Sequence, residues 1–137
     1  MTGHWVNNYI GKPWVKGAQG PDAYDCYGLA RDVMLRHFGV SLPPIGDDCT
    51  SLLKEVRALS GHPGWAVFEE VATPRGGDLV KMIKYAHPDH VGVWVDADGG
   101  GVLHAMRGNG VVFDTPILLN AVGWVRLGYF RFRGTDA

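Results

Sequence analysis

The stretch His90–Met106, "HVGVWVDADGGGVLHAM", decides how the chain folds. Two valine-rich runs flank an Asp/Gly cluster, the pattern of two strands joined by a tight turn. Alternation places Val91, Val93, Val95 and Ala97 on one face, and His90, Gly92, Trp94 and Asp96 on the other. Val102, His104 and Met106 share a face of the second strand. A three-residue loop pairing Asp96 with Gly100 sets His104 opposite Gly92. His90 then lies one diagonal step away, about 7–8 Å at the backbone and within reach of a long side chain. Gly92 clears space beside both histidines, on a face where a helix terminus can come close.

Similar short strands surround this hairpin. "GDLVKMI" precedes it; "GVVFD" and "GWVRLGYFRFR" follow, each bounded by Gly, Asp or Pro. Five strands joined by short turns predict an antiparallel meander. Upstream the period changes to that of a helix. In "DAYDCYGLARDVMLRHFG", Asp22–Gly39, the residues Leu29, Ala30, Val33, Met34 and His37 share one face. Asp22 and Asp25 stand where a cap or first-turn acid belongs, and Gly39 is a C-terminal stop. A short helix then a loop is expected over residues 1–21, and a second helix from Cys49 to Leu59. Helices first and strands afterwards imply an α+β fold, with N-terminal helices on a five- to six-stranded antiparallel sheet.

The 137 residues are enough for one domain, 1–137, with a sizeable core. With 46% hydrophobic and 20% charged residues, the composition is that of a globular protein. A net charge of −1 supplies no field for nucleic acid or an anionic membrane, and no apolar run is long enough to span a bilayer. "MTGHWVNNYIG" lacks the basic and apolar segments of a signal peptide, so cytoplasmic synthesis is expected. Two cysteines are too few for a disulfide scaffold, and reduced thiols are the default expectation.

Cys26 opens the first helix. Unpaired N–H groups and the positive end of the helix dipole stabilise a thiolate there, and a nearby imidazolium does so further. Cys26 as nucleophile, His90 as general acid and base, and His104 fixing the His90 tautomer form a working set. Backbone N–H groups of the helix start supply an oxyanion hole. Blander readings stand beside this one. A cysteine sharing a face with Leu29, Ala30 and Val33 is an ordinary core residue. A strand histidine is commonly structural, and His87, His90 and His104 could bind zinc, but no carboxylate or Cys completes a set at standard spacing. Cys49 reads as packing, and His4, His37 and His62 as solvated or capping residues.

From Tyr9 to Asp114 the chain resembles the NlpC-type, papain-like cell-wall cysteine peptidases. "GKPWVKGAQGPDAYDCYGLA" is similar to the family's glycine-rich loop leading into its Asp-Cys helix. Leu42–Pro43, "RGGDLVKM", "HVGVWVD" and "VLHAMRGNGVV" follow in the family's order. The resemblance implies a papain-like fold, Cys26 as nucleophile, His90 as base and His104 as the orienting polar residue. It also implies Trp14, Asp25 and Tyr27 as substrate-binding positions, with Trp14 replacing a tyrosine and Tyr27 a serine. No metal or cofactor is implied. The expected substrate is a peptidoglycan stem peptide, cut at D-γ-glutamyl-diaminopimelate. The aromatic after Asp25–Cys26 is most similar to phage tail-associated members, which implies tail proteins as partners and the virion tail as a location. The alternatives are a structural tail-tip or assembly protein with little turnover, and an amidase or acyltransferase using the same three residues.

Overall fold

The computed structural model describes residues 4–42, 66–84 and 87–135. The chain enters through a 3-10 turn, Trp5–Asn8, and a loop that leads to helix α1, Cys26–Phe38. Asp25 caps α1: its backbone is extended and its side chain accepts from the Gly28 N–H. Gly39 closes the helix at φ 70°, the left-handed conformation a glycine adopts without a Cβ penalty. The helix thus occupies the span between the two signals visible in the sequence. The helix expected from Cys49 to Leu59 lies outside the described residues.

Six strands follow: β1 Ala66–Val71, β2 Leu79–Lys84, β3 His87–Val95, β4 Gly101–Met106, β5 Gly110–Asp114 and β6 Arg126–Thr135. Helix α2, Pro116–Ala121, separates β5 from β6. All pairings are antiparallel, in the order β1-β6-β2-β3-β4-β5. The expected meander is therefore only partly realised. It holds from β2 to β5, but β6 returns across the sheet to lie between β1 and β2.

β1 was not expected, because the adjacent Glu69 and Glu70 spoil an apolar alternation. Both are exposed on this edge strand, whereas Phe68 is buried, and the Arg133 guanidinium bonds Glu69 from β6. α2 is one short turn-and-a-half with only Leu119 buried, so it carries no readable period. Thr115 caps it and Pro116 occupies its start.

The sheet separates two apolar layers. On one face Leu29, Ala30, Val33 and Met34 of α1 pack with Val91, Val93, Val95, Leu103, Ala105 and Val111. On the other face Val80, Met82, Trp94 and Val102 pack with Leu119 and Trp124. Helices thus cover both faces, with α1 on the first and α2 on the second. Asp78, 1% exposed, anchors the start of β2 by accepting two bonds from the Arg131 guanidinium of β6, at 3.0 and 2.8 Å. Among the described residues no helix is long and apolar enough to cross a membrane.

Candidate active site

The hairpin of β3 and β4 has the register that its turn chemistry implies: Val95 pairs Gly101, Trp94 pairs Val102 and Val93 pairs Leu103. Continued by one step, this register sets Gly92 against His104. A Cβ built on Gly92 would meet the His104 Cβ at 3.0 Å, the Leu103 carbonyl oxygen at 2.9 Å and a Val102 methyl at 2.5 Å. The glycine is what lets His104 lie flat against β3.

His90 reaches its partner from a bulge. β2 pairs Met82 with His90 but Ile83 with Pro88, so two residues of β3 advance for one of β2. Such an insertion re-aims a side chain and accommodates a proline inside a strand. His90 Nε2 lies 3.0 Å from His104 Nδ1, with the two rings nearly perpendicular at 79°. Both histidines are buried, His104 completely. His104 Nε2 in turn lies 3.1 Å from Asp114 Oδ2, across from β4 to the end of β5. On its face, the His90 ring stacks on the Trp124 indole, 5.1 Å between centroids and 16° from parallel.

Asp114 and Trp124 were not singled out in the sequence. Asp114 was within reach of strand arithmetic: a tight turn at Arg107–Asn109 pairs His104 with Val112 and leaves Asp114 one diagonal step away. Trp124 follows a short helix and carries no local signal. The structure also revises one expectation. The cover on the histidine side of the sheet is Trp124, whereas the body of α1 packs against the alternate residues of β3 and β4.

Cys26 is the first residue of α1 and is buried in the core layer that α1 shares with β3 and β4. Its sulfur is disulfide-bonded, against the expectation of a reduced thiol. The sequence holds one other cysteine, Cys49, which lies outside the described residues.

The three remaining sequence candidates surround the helix start. Asp25 spends both carboxylate oxygens locally: Oδ1 accepts from the Gly28 N–H at 2.6 Å and Oδ2 from the Gly17 N–H at 3.0 Å. Tyr27 is buried in the core beside Cys26. Trp14, half-buried on that core, bridges to Tyr24 and lies under the Arg107 guanidinium, 4.8 Å from its centroid. The cation comes from the turn after β4, so Trp14 ties the entry loop to the strand that carries His104. His4 caps the first turn, its Nδ1 accepting from the Val6 N–H at 3.1 Å. His37, by contrast, stacks on Trp5 at 3.8 Å and bonds the Tyr9 hydroxyl. His62 lies outside the described residues. Among the described residues, no group of three His, Cys, Asp or Glu side chains is placed to hold a metal ion.

Two bonded, buried histidines on adjacent strands can act chemically as a base and its orienting partner, and a reduced cysteine opening a helix as a nucleophile. A solved structure, the NlpC/p60 domain of the peptidoglycan hydrolase SagA, shares the fold with a TM-score of 0.57 and 21% identity, covering 90% of this chain and 91% of that one. A probable endopeptidase p60 from Listeria grayi is 30% identical over 119 residues, which is 87% of this chain but 19% of that longer protein. The model of the NlpC/P60 family matches residues 11–118, from the entry loop through β5 and into α2, and the chain belongs to that family.

Proposed function

We propose that the chain is a cysteine peptidase that hydrolyses an amide bond in peptidoglycan stem peptides, at D-γ-glutamyl-diaminopimelate. The single observation that carries the reading is the buried His90 Nε2···His104 Nδ1 bond of 3.0 Å, in a chain of the NlpC/P60 family in which Cys26 opens α1. The substrate class is supported by the similar proteins, a probable endopeptidase and a peptidoglycan hydrolase.

In this mechanism the reduced Cys26 thiol gives its proton to His90 and the thiolate attacks the scissile carbonyl carbon. The oxyanion is held at the positive end of α1, by backbone N–H groups of the helix start other than that of Gly28, which Asp25 takes. His90 then protonates the leaving amine, which departs and leaves an acyl-enzyme. Water, deprotonated by His90, attacks the thioester and releases the acid product and the thiol. Trp14, Asp25 and Tyr27 are the substrate-binding positions of this reading, Asp25 by holding the loop and the helix together. The tail-associated setting belongs to the same proposal and rests on the resemblance at Asp25–Cys26–Tyr27.

One observation favours a second reading. A sulfur held in a disulfide is no nucleophile, and a chain that stays oxidised at Cys26 is a structural component with little turnover. Mass spectrometry of muropeptides incubated with the reduced protein separates the two. Release of a diaminopimelate-bearing fragment by the wild type and none by Cys26→Ala is the expected result. Intact muropeptides in both would leave the structural reading. Cleavage between glycan and stem would make the chain an amidase.

A further inference from the structure

We infer that Asp114 is a positioning residue that sets the tautomers of both histidines, so that His90 presents its basic nitrogen to Cys26. The inference rests on the reading of Cys26, His90 and His104 as the reacting set and adds a fourth member to it.

The argument is one of donors and acceptors. A neutral imidazole has one N–H and one lone pair, and a bond between two imidazoles is satisfied in either direction. Taken alone, His90 Nε2 and His104 Nδ1 at 3.0 Å therefore leave the proton's position undecided. If His104 is protonated on Nδ1, it donates to His90 Nε2 and forces the His90 proton onto Nδ1. That tautomer cannot accept the thiol proton. Asp114 breaks the tie. An ionised carboxylate only accepts, so the 3.1 Å contact from His104 Nε2 to Asp114 Oδ2 places the His104 proton on Nε2. His104 Nδ1 then carries a lone pair and accepts from His90 Nε2–H, and the lone pair of His90 is left on Nδ1. When His90 takes a proton there, His104 Nδ1 still accepts from the imidazolium, and nothing needs to rotate.

The placement favours this role. His104 is wholly buried and the Asp114 side chain is 18% exposed, so water competes little for the contact. Asp114 is fixed from both sides, by its pairing with Val102 and by Thr115, which caps α2. The third residue of the set thus takes its direction from a carboxylate at the strand–helix corner.

The test uses the full-length reduced protein and two readouts. Nitrogen-15 correlation spectra of the imidazoles at neutral pH report the tautomers without any substrate. The expected wild-type state is a proton on Nε2 of both His90 and His104. In Asp114→Asn the side-chain amide can donate as well as accept, so the expected spectrum shows His104 shifted toward the Nδ1–H tautomer. Kinetically, Asp114→Asn should lower kcat roughly ten- to a hundredfold, the range typical of a lost supporting bond. KM should stay within about twofold, since no substrate contact is removed. Asp114→Glu, which restores an acceptor-only group, should recover part of kcat. A wild-type proton on His104 Nδ1, or unchanged tautomers and kcat in Asp114→Asn, overturns the inference. If the reduced wild type cleaves no muropeptide, the proposed function fails, while the wild-type and Asp114→Asn spectra still decide what Asp114 does.

Discussion

The indole of Trp124 lies over the imidazole of His90, nearly parallel and 5.1 Å away, and both are buried. A stacked wall limits the rotation of His90 about its side-chain bonds, leaving the ring edge to meet His104. Trp124→Phe keeps an aromatic face and should cost stability about 1 kcal/mol with a small fall in kcat. Trp124→Ala empties part of the second core layer and should cost about 3–5 kcal/mol. Thermal melts of the three proteins, with rates measured well below each midpoint, separate the two effects. A Trp124→Phe rate equal to that of Trp124→Ala would mean that the stacking does not position His90.

Gly92 is a second determinant, and unlike Trp124 it was visible in the sequence. A methyl group there runs into the Leu103 carbonyl as well as two side chains, and backbone cannot swing aside as a flexible side chain can. Gly92→Ala should therefore destabilise the fold by about 1–3 kcal/mol through overpacking. It should also push His104 away from His90 and lower kcat in the protein that remains folded. A melting temperature and rate both equal to wild type would show that the hairpin yields at no cost.

The features legible in the sequence share one property: they are local. The α1 limits follow from Asp25 and Gly39, and the β3–β4 register follows from a short Asp/Gly turn. That register, with alternation, was enough to place His104 against Gly92 and within reach of His90. What escaped depends on contacts distant in sequence. β6 crosses back between β1 and β2 because its Phe130 and Phe132 complete the first core and Arg131 binds Asp78, none of which has a local pattern. Trp124 finds His90 across 34 positions of chain for the same reason. The disulfide state of Cys26 was misjudged by a rule about compartments, which says nothing of an individual sulfur.

His37 makes stability depend on pH. Burial against Trp5 and Tyr9 holds its pKa below the ordinary 6.5, with Asp32 opposing and Arg36 and His4 adding to the shift. A lowered folded value means that the unfolded chain binds the proton more readily. The contribution to stability is present above pH 6.5 and is lost as pH falls through the folded value. His37→Phe keeps the stack on Trp5 without a titrating group. Its melting temperature should fall less than that of wild type between about pH 7.5 and about pH 5. Equal slopes would remove His37 as the source.

The last prediction concerns the sulfur itself. Cys26 is disulfide-bonded, so attack on a carbonyl requires reduction first. A dithiol reductant supplies two electrons, becomes a cyclic disulfide and leaves Cys26 as a thiol at the start of α1. Protein purified without reductant should neither cleave muropeptides nor take up iodoacetamide at Cys26, and dithiothreitol should restore both. Because the sequence holds only two cysteines, Cys49→Ser removes the only partner within the chain. That variant should be active without reductant, whereas Cys26→Ser should stay inactive under every condition. Peptide mapping after a short alkylation pulse, run beside the cleavage assay, follows sulfur and activity together. Equal cleavage by oxidised and reduced wild type would sink the cysteine mechanism, because no free Cys26 thiol would then be needed.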